Sequence, residues 1–74
     1  MNKLPSKEMV KQIRIRYPKG CRVELVNMDD PYTKLQPGDQ GTVDFVDDTG
    51  TIFCNWDSGA TLGVVFGVDL LKRL

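Results

Sequence analysis

Residues 40–59, QGTVDFVDDTGTIFCNWDSG, decide the fold of this chain. Gln40 to Val46 reads as a strand, with Val43 and Phe45 on one face. Asp47-Asp48-Thr49-Gly50 follows as a hairpin turn, and Gly50 is free to take a positive φ. Thr51 to Asp57 reads as the return strand. Its alternation puts Ile52, Cys54 and Trp56 on one face and Thr51, Phe53 and Asn55 on the other. Ser58-Gly59 closes a second tight turn. Two strands joined and followed by tight turns make an antiparallel meander.

The flanks extend the meander. Ala60 to Phe66 supplies the next strand. Gly67-Val68-Asp69 is a short connection of about one 3₁₀ turn. Leu70 to Leu74 is long enough for a fifth strand or a terminal helical turn. Upstream, Cys21 to Asn27 alternates, with Cys21, Val23 and Leu25 on one face and Arg22, Glu24 and Val26 on the other. Between the first two strands, Met28 to Gly38 is a long loop, marked by Asp29-Asp30-Pro31 and Pro37-Gly38. The expected core is Val23, Leu25, Val43, Phe45, Ile52, Cys54, Trp56, Leu62, Val64 and Leu70.

One long loop followed by tight hairpins is the pattern of a small SH3-like barrel. Closure protects edges that a flat sheet of this size would expose. The alternative is an open meander with a helix packed on one face. With 74 residues and 41% apolar composition, the chain holds one small globular domain with a thin core.

Ahead of the barrel the period changes. Ser6 is an expected N-cap, and Glu8 lies in the first turn, where a carboxylate favours the helix dipole. Met9, Val10, Ile13 and Tyr17 form an apolar stripe, and Arg14 and Arg16 enter the last turn. Pro18 disfavours a helical Tyr17 and stops the helix there. So short a helix is marginal alone, so its stripe is expected to pack on the rest of the chain. Residues 1–17 are therefore read as an N-terminal amphipathic helix packed on a barrel formed by residues 18–74.

Ten basic and ten acidic residues sum to zero, but they are segregated. Residues 1–22 carry +6, residues 23–71 carry −8, and Lys72 and Arg73 add +2. Such asymmetry marks either a basic arm for an acidic partner or an arm that docks on its own acidic domain.

The residue inventory excludes several chemistries. The chain has no His, hence no Ser-His or Cys-His nucleophile pair and no His-ligated zinc. Cys21 and Cys54 are too few for a four-thiolate site and too far apart for a redox motif. They read either as a disulfide or as two small apolar side chains in a reducing cytoplasm, and the second reading is preferred. No metal, cofactor or catalytic constellation is expected. The N-terminus carries no signal-peptide pattern, and no apolar run approaches the ~18 residues of a membrane span. A soluble cytoplasmic protein with no membrane partner is the expectation.

Several stretches resemble known families. RIRYPKGCRVEL at 14–25, MDDPYTKLQPG at 28–38, GTV at 41–43, DDTGTI at 47–52, WDSG at 56–59 and GVD at 67–69 resemble the bacterial and phage family called domain of unknown function 4314. The resemblance covers nearly the whole chain, and the segment Met28 to Thr33 is its most specific part. It implies a small standalone protein of a kind common on phages and mobile elements, and implies no activity. More distantly, Gly38, Gly41-Thr42-Val43, the Trp56 to Gly59 turn and Gly67 to Asp69 are similar to the Mind-bomb/HERC-type domain, which implies an SH3-like barrel that binds protein segments. The Gly-rich part also looks like the KOW motif of ribosomal and transcription factors, from whose nucleic-acid binders the acidic barrel departs.

Four groups of residues are candidates for function. In the long loop, Asp29, Asp30, Tyr32 and Lys34 stand between prolines, and Tyr32 with Trp56 or Phe66 is suited to line a peptide groove. The competing reading is that Pro31 and Tyr32 cover one end of the core. Trp56 and Asp57 are a binding anchor and its neighbour, or a core residue and a turn residue whose carboxylate bonds the turn backbone. The acid pairs Asp29-Asp30 and Asp47-Asp48 fit no calcium loop and read as solvated turns. Lys7, Lys11, Arg14 and Arg16 are phosphate contacts in the alternative in which the protein is a nucleic-acid accessory. The leading expectation is a non-enzymatic adaptor that binds a protein or peptide segment through Asp29, Asp30, Tyr32, Lys34, Trp56 and Asp57. A basic or Pro-containing segment would suit the acidic barrel. Homo-oligomerisation through arm and barrel stays open.

Overall fold

The computed structural model describes residues 6–28, 34–66 and 70–74. Helix α1 (Lys7–Arg16) precedes strands β1 (Arg22–Asn27), β2 (Gln40–Val46), β3 (Thr51–Trp56), β4 (Thr61–Val65) and β5 (Leu70–Arg73). All five strands form one antiparallel sheet in the order β4-β3-β2-β1-β5. The edge strands β4 and β5 approach each other, so the sheet curls into a small barrel. The last segment is thus a strand beside β1, and not a helical turn.

Local chemistry sets each boundary. Ser6 Oγ accepts the Met9 N–H at 3.1 Å and starts α1. The Tyr17 N–H closes the last turn on the Ile13 carbonyl, and Pro18 follows. In the hairpin between β2 and β3, Asp47 Oδ1 accepts from the Thr49 and Thr51 N–H groups at 2.9 Å each and from Thr49 Oγ1 at 2.7 Å. Gly50 sits at φ +84°, a conformation closed to most L-residues. At the end of the long loop, Gly38 N–H donates to Leu25 O and Leu25 N–H to Asp39 O, each at 2.8 Å, which ties the returning chain to β1.

The core joins helix and barrel. Val10, Ile13 and Tyr17 of the helix region meet Val23, Leu25, Leu35, Val43, Val46, Ile52, Cys54, Trp56 and Val64. The helical stripe runs through positions 10, 13 and 17, and Met9, expected in it, is exposed. Leu35 buries itself at the loop's end, filling the core from a position that the strand pattern did not single out.

Two expected core residues point outward; a β-bulge in its own strand explains the first, and strand alternation beside inward-facing Leu71 explains the second. On β2, Val43 faces Cys54 but Phe45 faces Phe53, so Asp44 is an extra residue. The phase flips there, Val46 enters the core and Phe45 is half-exposed. On β1 the register to β5 shifts between Leu25 and Asn27. Leu71 pairs with buried Leu25 and packs on the core, which leaves Leu70 exposed. Leu62 is only partly buried and packs against the core edge.

Candidate functional site

Of the residues singled out in the sequence, Asp29, Asp30 and Tyr32 lie outside the described residues, and so does the pairing of Pro31 with Tyr32 as a core cover. Lys34 is exposed. Trp56 is 3% exposed, and its indole N–H donates to Leu62 O at 3.2 Å. It is a core residue and offers no face to a partner, which corrects its reading as a binding anchor. Its phase with Ile52 and Cys54 had the right meaning.

Asp57 does not bond its own turn. Its carboxylate takes both ends of the Arg22 guanidinium, at 2.8 and 2.6 Å. Arg22 also donates to Thr42 Oγ1 at 3.0 Å and approaches Gln40 Oε1 at 3.5 Å. The Arg22 hydrogen bond pulls the Asp57 carboxyl below its usual range, and the same bond raises the guanidinium. A bidentate pair on a sheet surface that joins β1, β2 and the β3–β4 turn is a clamp.

The basic helix is partly spent on the barrel. Arg14 Nε donates to Val46 O at 3.1 Å, and its Nη2 reaches Asp48 at 2.9 Å. Lys7, with Val10, Arg14 and Asp48, lines a shallow hollow of about 340 Å³ at this junction. Further along, Lys19 stands 3.7 Å from Asp44 and Lys72 stands 3.5 Å from Glu24. Asp39 accepts the Gln36 N–H, and Asp47 is used by its turn. Among the described side-chain carboxylates, only Glu8 has no such partner among the described residues. Most of the described acidic charge is thus met within the chain, and part of the basic charge. Lys7, Lys11 and Arg16 remain without an ion-pair partner among the described residues.

A different surface has the shape of a site. Two adjoining hollows, of about 550 and 300 Å³, share Arg16 and Phe66. Together they run as a groove between α1 and the β4 and β5 edges. The helix contributes Met9, Gln12, Ile13 and Arg16, at the i, i+3, i+4 and i+7 positions of one face, together with Ile15. The barrel side contributes Ile52, Val64, Phe66, Leu70 and Leu71, with Tyr17 at the floor. Arg73 Nη1 donates to Arg16 O at 3.2 Å and ties β5 to the end of the helix. Met9, Ile15, Phe66 and Leu70 are all at least 40% exposed, so the groove is open and apolar.

Sequence reasoning named Phe66 as a groove residue and assigned Met9 and Leu70 to the core. Ile15 was not singled out, and Arg73 entered only in the charge count. The available signal was an isoleucine between two arginines, off the buried stripe.

Both cysteines are free. Burial pushes the Cys54 thiol up to about 12, and burial also raises Cys21 against the opposing charge of Arg73. Among the described residues, no three His, Cys, Asp or Glu side chains gather as a metal site. No described helix is long and apolar enough to cross a membrane.

Residues 6–74 match the family described as Domain of unknown function (DUF4314). No curated protein matches the chain.

Proposed function

The chain belongs to the DUF4314 family, and from the groove we propose that it is a non-enzymatic binding module that seats a protein or peptide segment between α1 and the β4 and β5 edges. The observation that carries this reading is the run of exposed apolar side chains, Met9, Ile15, Phe66 and Leu70, along one continuous depression. A 74-residue chain has few apolar side chains to spare from its core. Apolar residues gathered on a concave surface are the usual mark of an interaction site. The thin barrel supplies rigidity and the helix supplies one wall.

The test is capture from the cell of origin by immobilised protein, followed by mass spectrometry. Wild type and Asp48→Ala, which lies outside the groove, should capture the same protein. Ile15→Glu should lose it while melting at nearly the same temperature, since Ile15 is 62% exposed. Equal capture by Ile15→Glu rules the groove out as the site.

A second reading has one observation in its favour: Lys7, Lys11 and Arg16 carry uncompensated charge along one helix. Phosphate contacts through these three would give binding that weakens steeply with salt. A mobility shift absent even at low salt removes it.

A further inference from the structure

The groove's charge points to the chemistry of its occupant. Among the described residues, Arg16 and Arg73 are the only ionisable side chains besides Tyr17 that line either hollow, and no described carboxylate lines them. Neither arginine is neutralised from within the described chain. The Arg16 guanidinium makes no ion pair with a described residue, and Arg73 uses one nitrogen on a neutral acceptor, the carbonyl of Arg16. The described carboxylates that could have served them are held elsewhere, Asp48 by Arg14, Asp57 by Arg22, Asp44 by Lys19 and Glu24 by Lys72. Two planar cations with unused N–H donors therefore flank an apolar floor of Ile13, Phe66, Leu70 and Leu71.

Resting on the groove reading above, we propose that the occupant is an acidic peptide segment that carries apolar side chains, its carboxylates seated on Arg16 and Arg73. A guanidinium presents paired donors that match the two oxygens of a carboxylate. Lys7 and Lys11 on the same helix extend a positive field that speeds the approach of such a segment. A basic segment meets like charge at both arginines and has no described carboxylate in the groove to receive it. The apolar floor gives affinity, and the arginines give selection by charge. This reverses the partner charge expected from the acidic composition of the barrel, because the described acids of the barrel already have partners.

The test is selection of a displayed library of random peptides on the whole protein, followed by fluorescence anisotropy of the enriched peptides at low and high salt. The enriched pool should be net acidic with apolar anchors. Arg16→Gln and Arg73→Gln should each weaken an enriched peptide about tenfold or more at low salt and less at high salt. Ile15→Glu should abolish binding, and a melt of each variant checks its fold. Neutral or basic enriched peptides that Ile15→Glu abolishes overturn the acidic preference and leave the groove reading standing. Enriched peptides that bind Ile15→Glu as well as wild type overturn both. No enrichment, with light scattering showing a dimer that Ile15→Glu dissolves, puts a second copy in the groove and overturns the peptide. No enrichment without a dimer overturns both readings.

Discussion

Phe45 lies face to face with Phe53 on the outside of the barrel, ring centroids 4.7 Å apart and planes 16° from parallel. The contact exists because Asp44 is an extra residue in β2, which brings Phe45 opposite Phe53 and Val46 opposite Ile52. A stacked pair of this kind adds about 0.5–1.5 kcal/mol beyond the area it covers. Phe45 is half-exposed, so little cavity follows its removal. Phe45→Ala is expected to lose about 1 kcal/mol in urea denaturation. Ile52→Ala, at 2% exposure, is expected to lose about 2–5 kcal/mol. A domain of this size holds only about 3–5 kcal/mol in total, so Ile52→Ala should be largely unfolded. Equal losses for the two variants would mean that Phe45 belongs to the core after all.

Gly41 and Gly63 separate two kinds of crowding. A Cβ on Gly41 would sit 2.9 Å from the Asn55 carbonyl oxygen and 3.1 Å from Trp56 Cα, both backbone, and 2.9 Å from the Trp56 ring. None of these can move without opening the β2–β3 ladder. A Cβ on Gly63 meets Thr51 Cγ2 at 2.6 Å and the Phe53 ring at 3.0 Å, which are side chains on the outer face. Turning them aside leaves the backbone in place but disturbs the Phe45–Phe53 stack, while alanine also restricts the unfolded chain. Gly41→Ala should therefore lose about 1–3 kcal/mol, and Gly63→Ala less, about 1 kcal/mol. Thermal melts of the two variants decide it, and a larger loss at Gly63 would contradict the register of β3 and β4.

How much of this was legible in advance follows from the range of each interaction. Ser6 as N-cap, the stop at Pro18 and Gly50 in the hairpin are local, and a few neighbouring residues suffice to read them. Trp56 disclosed its burial by its phase with Ile52 and Cys54. Phe45 did not, because a strand carries no local mark of the extra residue beside it and strict alternation assigned it to the wrong face. The partner of Asp57 is Arg22, 35 residues upstream, and only the pairing of β1 with β2 and of β2 with β3 brings them together. The groove was hidden for the same reason. It is built from α1, the end of β4 and β5, and no contiguous stretch contains it.

Asp47 and Asp57 make stability depend on acid in two distinguishable ways. Both carboxyls are pulled below their usual range, Asp47 chiefly by the Thr49 hydroxyl and Asp57 by the Arg22 hydrogen bond. A depressed carboxyl stabilises the fold above the ordinary Asp value of about 3.9, and that contribution is lost as the pH falls through the lower folded value. The denaturation midpoint should therefore drop below about pH 4. Asp47→Asn and Asp57→Asn should each flatten that drop. Added salt should reproduce the Asp57→Asn effect, because that pair is solvent-exposed, and should not reproduce the Asp47→Asn effect, which rests on short hydrogen bonds inside one turn. A salt response of the opposite pattern would reassign the two roles.

Cys54 should govern the alkaline side. Its thiol is 2% exposed, packed in the core, and burial pushes it up to about 12. An unfolded cysteine ionises near 8.5, so the folded state holds its proton where the unfolded state releases it. The fold therefore keeps the full contribution of this group below about 8.5 and loses it progressively as the pH rises toward about 12. Cys54→Ala should start from lower stability, having lost a packed side chain, and then fall less between those values. The same burial predicts the order of alkylation. Iodoacetamide requires the thiolate, so at pH 8 the half-buried Cys21 should be labelled first, more slowly than a free thiol because its own value is raised. Cys54 should be labelled only when denaturant opens the barrel. Mass spectrometry of the peptides that carry each cysteine reads the order directly, and early labelling of Cys54 in native buffer would mean that β3 is not held in the core as described.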